Sequence, residues 1–138
     1  MKQDLVKFVR DLGHETIDAG TDSPAPVDYP DFAVKVAHEV LNGNAERGIL
    51  ICGSGVGVSV AANKIRGIRA GICHDCYSAH QGVEHDSMNV LVLGARIIGS
   101  ELARDVARTF LKANFTAEQR HVRRLEKVMK IESGERVI

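Results

Sequence analysis

The sequence predicts an α/β protein built on a parallel sheet. Two observations carry this. Short apolar runs alternate with helical windows, and two of the runs, residues 49–51 and the Val90–Leu93 stretch of a strand over 89–93, are continuous, as strands covered on both faces require. A glycine-rich turn, Gly53-Ser54-Gly55-Val56-Gly57, directly follows the first run and leads into a helical stretch.

Taken in order, Leu5, Val6, Val9 and Leu12 recur at helical spacing, and Gly13 ends that helix. Residues 15–19 read as a short strand, and residues 21–29, with Pro24 and Pro26, as a loop. Asp28 is expected to cap the next helix, with Pro30 in its first turn. Phe32, Ala33, Val36, Ala37, Val40 and Leu41 give that helix one apolar face, and Asn42-Gly43-Asn44 stops it. Residues 47–52 form the central strand, and residues 58–64 start the helix beyond the glycine turn. A strand over residues 68–72, a short helix over 77–83 and a strand over 89–93 follow. Ser100 is expected to cap a helix carrying Leu102, Val106, Phe110 and Leu111. Thr116 is expected to open a last, highly charged helix that ends near Gly134. The chain begins with a helix where this class of domain begins with a strand. The strand that would feed that first helix is missing.

A chain of 138 residues suffices for one domain, 1–138, with a real core. Its 18 basic and 18 acidic residues cancel, so no net charge draws it to nucleic acid or to an acidic membrane. No apolar run is long enough to span a bilayer, and the first residues lack the apolar core of a signal peptide. Three cysteines, an odd number without an export signal, point to a reducing cytoplasm.

The chemistry concentrates at the glycine turn. Its glycines let the backbone turn sharply and approach a ligand closely, and the N–H groups of a helix start favour an anion. Cys52 ends the preceding strand, at the edge where open α/β sheets bind ligands. There the positive end of the following helix favours a thiolate base. Alone, Cys52 reads equally well as a small buried hydrophobe; the adjacent glycines favour function. His85, in Glu84-His85-Asp86-Ser87-Met88-Asn89, is a general acid or base, or else a solvated loop histidine. Arg120 and Arg124 share a helix face and could grip a phosphate, or form a solvated stripe. Arg96 follows a strand end on the ligand edge, to bind an anion or to hold a loop. Cys73-His74-Asp75-Cys76 has half the ligand spacing of a zinc site without a second pair, so no metal is expected. The glycine turn matches neither a Walker loop nor the full dinucleotide fingerprint.

Asp28-Tyr29-Pro30, residues 51–57, Ala61-Ala62-Asn63-Lys64, Tyr77-Ser78-Ala79, residues 85–89, residues 94–99 and Arg120-His121 with Arg124, in this order, resemble the ribose-5-phosphate isomerase B family. That family also includes galactose-6-phosphate isomerase subunits. The resemblance covers nearly the whole chain. It implies a Rossmann-like three-layer α/β/α sandwich with strand order 2-1-3-4-5. It also implies homodimers or tetramers with interfacial active sites and no metal or other cofactor. The implied reaction interconverts aldose and ketose phosphates through an enediolate. By resemblance, Cys52 is the base, Ser54 keeps a hydroxyl where threonine is frequent, and His85 opens the sugar ring. The N–H groups of Gly53, Gly55, Val56 and Gly57 would stabilise the enediolate oxygen. Arg96, Arg120 and Arg124 match phosphate- or substrate-binding arginines. Asp28 and Tyr29 match a loop lining the sugar site, and Asp86 stands where asparagine is common.

Members of that family begin with a strand and a Gly-x-Asp-His turn, which this sequence lacks. Without that strand, those at residues 15–19 and 47–52 lose their shared neighbour. The expectation is a natural chain longer than this one; the alternative is a short form with a rearranged sheet and little activity. The expected substrate is a pentose 5-phosphate. A hexose 6-phosphate, a tetrose phosphate, or a catalytically silent sugar-phosphate-binding domain are the competing readings. Cys52 and His85 argue against the last, and the absent strand argues for it.

Overall fold

The structure, a computed structural model, describes residues 1–137. In chain order its elements are α1 (Lys2–Asp11), α2 (Tyr29–Leu41), β1 (Gly48–Cys52), α3 (Val56–Ala62), β2 (Ala70–Ile72), α4 (Cys76–Asp86), β3 (Val90–Gly94), α5 (Ser100–Lys112) and α6 (Gln119–Glu132). The strands are parallel. Side chains alternate across the sheet as the strand period of two demands. Leu50, Val90 and Val92 face α2 and α3, meeting Ala33, Ala37, Val58 and Ala62. Ile49, Ile51, Leu91 and Leu93 face α1, α4 and α5, meeting Leu5, Val83, Val106 and Phe110. The expected helix–sheet–helix layering is therefore present. Among the described residues no helix is long and apolar enough to cross a membrane.

The strand order is β1-β3-β2, so the last strand lies between the other two. This corrects the sequential order implied by resemblance. The physical reason is burial. Every residue of β3 is buried, as a central strand requires, whereas β2 is three residues long and half open. Two asparagines stand in for strand partners beside β2. Asn63 accepts from the Ala70 N–H at 2.8 Å and donates to the Ala70 carbonyl at 2.8 Å, on its outer edge. Asn89 accepts from the Arg69 N–H at 2.8 Å and donates to the Gly67 carbonyl at 2.9 Å.

Residues 15–19 form no strand. They are held to α1 by side chains, with Lys2 paired to Asp18 at 3.0 Å and Arg10 donating to Thr16 at 2.6 Å. A strand needs a ladder partner, and none lies beside them. Ile17 is 55 % exposed, so its apolar surface gains no cover either. Three capping expectations also change. Asp28 stands at the N-cap of α2 without a side-chain capping bond. Gly99, not Ser100, is the N-cap of α5, and Glu118, not Thr116, that of α6. Thr116 instead bonds the Glu84 carbonyl through its N–H and its hydroxyl, at 3.0 and 3.1 Å.

α1 rests on α5 through Leu5 and Val9 in the core, an Asp4–Arg104 ion pair, and Phe8 beneath Arg104 and Arg108. Between α1, residues 14–21, α2 and the outer edge of β1 lies a cleft of about 920 Å³, with Leu5, Val9, Ile17, Val36, Ile49 and Ile51 in its walls. Gly48 donates to Asn89 and Cys52 accepts from Ala95, both toward β3. Ladder groups alternate sides, so the N–H and C=O groups of Ile49 and Ile51 face the cleft.

Candidate active site

The glycine turn lies where expected, between the C-terminal end of β1 and α3. Gly55 has φ 85°, and a Cβ there would meet Val92 Cγ1 at 3.1 Å, so only glycine fits both the backbone and the space. The segment after β3 straps the turn from behind. Ala95 N–H donates to the Cys52 carbonyl at 2.8 Å and Arg96 N–H to the Gly53 carbonyl at 3.0 Å. The Arg96 side chain lies over Gly53, where a Cβ would stand 3.6 Å from Nε. The Tyr29 ring lies against Gly57, where a Cβ would stand 2.8 Å from Cζ. Ser54 is exposed, and its hydroxyl oxygen accepts from the Val56 N–H at 3.3 Å. Cys52 is half-buried and, with Tyr29, lines the cleft. Asp28 is exposed just before Tyr29.

His85, expected in a turn, sits in the last helical turn of α4. Its ring stacks on His121 with centroids 4.1 Å apart. His121 is 1 % exposed, so every polar atom on it needs a partner. Arg120 Nε donates to its Nε2 at 3.2 Å, and its Nδ1 lies 2.8 Å from the Thr116 hydroxyl. A guanidinium only donates, so Nε2 accepts and the proton is on Nδ1, with the Thr116 hydroxyl passing the chain to the Glu84 carbonyl. Burial, then the charges of His85, Arg120 and Arg124, hold His121 below the usual histidine range, and Glu118 opposes them. Arg120 also pairs with Glu118 at 3.0 Å. Asp86 and Arg124 are exposed beside this cluster in sequence.

These candidates fall at opposite ends of the sheet. Cys52 pairs with Gly94 at the C-terminal end of β3, whereas α4 delivers His85 just before β3 begins at Val90. The length of β3, about 13 Å, separates the two ends. Cys52, Ser54, Gly53, Gly55, Val56, Gly57, Tyr29 and Arg96 are brought together. His85, Arg120 and Arg124 are gathered elsewhere, where α6 packs on α4. Sequence reasoning gave no role of their own to His121 and Asn63, took Thr116 as a helix start, and weighed His74 only as part of half a zinc site. Thr116 and His74 bond partners 32 and 20 residues away, and His121 and Asn63 bond nearer groups that only the fold brings into place. The chain order itself carries the separation of the two clusters: His85 precedes its strand and Cys52 follows one, which in a parallel sheet puts them at opposite ends of the strands.

The comparisons agree with this architecture. A family model described as Ribose/Galactose Isomerase matches residues 1–128. A protein named ribose-5-phosphate isomerase B from Escherichia coli is 43% identical over 132 residues, covering 96% of this chain and 88% of that protein. A D-erythrulose-4-phosphate isomerase from Pectobacterium atrosepticum is 39% identical over 117 residues, covering 83% and 76%. The solved ribose-5-phosphate isomerase B of Clostridium thermocellum superimposes with a TM-score of 0.93 at 45% identity, covering 96% of this chain and 89% of that one. With its layered parallel sheet, its strapped glycine turn beside a strand-end cysteine and likeness along almost its whole length, the chain belongs to the ribose/galactose isomerase family and is a sugar-phosphate isomerase.

Proposed function

We propose that this isomerase interconverts ribose 5-phosphate and ribulose 5-phosphate, with Cys52 as the base, at a site completed by a second copy of the chain. The supporting observation is the glycine turn strapped beside Cys52, with Arg96 over Gly53 and Tyr29 against Gly57. In the open-chain aldose, the Cys52 thiolate takes the C2 proton. The C2–H electrons form the C1=C2 bond, and the carbonyl electrons move to O1. The resulting cis-enediolate is met by the N–H groups of Gly53, Gly55, Val56 and Gly57, which supply the anion stabilisation a thiolate alone lacks. The proton on O2 passes to O1, with the Ser54 hydroxyl as carrier, and Cys52 returns its proton to C1, leaving the ketose. No external oxidant is needed, because C1 is reduced as C2 is oxidised.

Ring opening and phosphate binding fall to His85, Asp86, Arg120 and Arg124. On one copy these stand a sheet's length from Cys52, so His85 and the arginines of one copy serve the Cys52 of another in a homodimer or tetramer. Asp28 and Tyr29 line the sugar. A cytoplasmic setting suits three unpaired cysteines.

The test is NMR of ribose 5-phosphate in deuterated water. Deuterium entering at the reacting carbons with ribulose 5-phosphate appearing is expected, and Cys52→Ala should abolish both while retaining ligand binding. Full turnover by Cys52→Ala would refute the assigned base. A second reading, a tetrose phosphate, is favoured by the Pectobacterium relative's name. Comparing kcat/KM for ribose 5-phosphate, a hexose 6-phosphate and erythrose 4-phosphate decides between them.

A further inference from the structure

The Gly94 N–H faces β2, because alternate groups of β3 serve its two neighbours. The Cys73 N–H donates to the Val92 carbonyl at 3.2 Å, so the next acceptor in a continuing ladder would be the Cys73 carbonyl. The imidazole of His74 takes that place, with Nε2 accepting from Gly94 N–H at 2.9 Å. A backbone N–H can only donate. His74 Nε2 therefore holds a free lone pair and the ring is neutral with its proton on Nδ1.

The ring is fixed on both sides. Before it, Cys73 is tied to β3; after it, Asp75 caps α4, its carboxylate accepting from Ser78 N–H at 2.7 Å. On the other side of Gly94 there is no slack. A Cβ on Gly94 would stand 2.7 Å from the Ser54 carbonyl oxygen and 3.0 Å from its carbon. The next two residues, Ala95 and Arg96, carry the straps to Cys52 and Gly53. A force on the Gly94 amide is thus delivered to the Cys52–Ser54 backbone through three close contacts.

We propose that His74 is a positioning residue for the glycine turn, setting the register of its N–H donors through the Gly94 amide. His74 acts on the reaction only through Gly94 and its straps. Donors aimed at a developing oxyanion matter most in the transition state, so a displaced turn lowers kcat more than it weakens substrate binding. This role rests on the reading of the turn as the oxyanion site, but the bond and its effect on the backbone are measurable without substrate.

The experiment combines NMR and kinetics on the full chain. In ¹⁵N-labelled protein, the His74 Nε2 should resonate as an unprotonated ring nitrogen, coupled through the hydrogen bond to the Gly94 amide. His74→Ala should shift the amide signals of residues 52–57 and lower kcat roughly ten- to hundredfold with KM little changed. His74→Gln, whose Oε1 can accept in the same place, should restore both. An Nε2-protonated ring, unmoved turn amides in His74→Ala, or a glutamine variant as impaired as the alanine one would each overturn the proposal. Should His74→Ala fail to fold, the wild-type ring spectrum and His74→Gln still decide. A wild-type protein inactive on ribose 5-phosphate would count against the substrate reading alone, because the amide shifts are read without turnover.

Discussion

At the scale of single residues, the turn shows how a local motif is enforced. Gly55 combines a left-handed φ with a 3.1 Å approach to Val92. Gly55→Ala should cost about 1–2 kcal/mol in urea unfolding and lower activity with it. A variant as stable as the parent would mean that the turn relaxes freely. The three cysteines differ for equally local reasons. Burial, with Asp75 nearby, pushes the Cys73 thiol up to about 11, so it is almost wholly protonated and shielded at neutral pH. Iodoacetamide should therefore modify Cys52 and Cys76 well before Cys73, as peptide mass mapping would show. Cys52 and the glycines were legible in sequence because motif and chemistry lie within six residues. His74 and His121 were not, because a histidine's role is set by its partner, and those partners were assigned only by folding.

Among elements, the least secured strand is β2, and Asn63 is its outer neighbour in all but name. Asn63→Ala leaves the Ala70 N–H and C=O without that partner and should cost about 1–3 kcal/mol by chemical denaturation. An unchanged midpoint would show that water replaces the amide without loss. The α4–α6 contact has a pH signature of its own. His121 is held below its free value, so the folded protein resists protonating it while the unfolded chain accepts the proton. Its contribution is complete above about pH 6.5 and declines as pH falls below that value toward the lowered folded one. Thermal unfolding of His121→Gln should lose part of the acid dependence shown by the parent; identical pH profiles would remove His121 as the cause. The helices were readable from periodicity, and β1 and β3 from their apolar runs. The strand order implied by resemblance places the last two strands in sequence order, whereas the length and apolarity of residues 90–94 against residues 70–72 rank β3 as the interior strand. Residues 15–19 form no strand despite their extended sequence preference, because that preference counts for little without a partner edge.

For the whole molecule, the division of the candidates between two ends of the sheet is what the proposed shared site is built on, with His85 of one copy serving Cys52 of another. Mixing Cys52→Ala with His85→Ala chains tests this. Each variant alone should be inactive, and a randomly exchanged dimer mixture should recover about a quarter of parental activity. No recovery after verified subunit exchange would place both residues in one copy's site. This separation was implicit in the chain order, but oligomer geometry was not, since it depends on surfaces that no motif describes.

The cleft beside β1 also imposes a rhythm on a single strand. The amides of Leu50 and Cys52 point at β3, and those of Ile49 and Ile51 point into the cleft. Solvent deuterium reaching that cleft should exchange with every second amide of β1, fast at Ile49 and Ile51 and slow at Leu50 and Cys52. Anything that closes the cleft would erase the alternation, so the exchange pattern of four consecutive amides reports whether that edge of the sheet is covered.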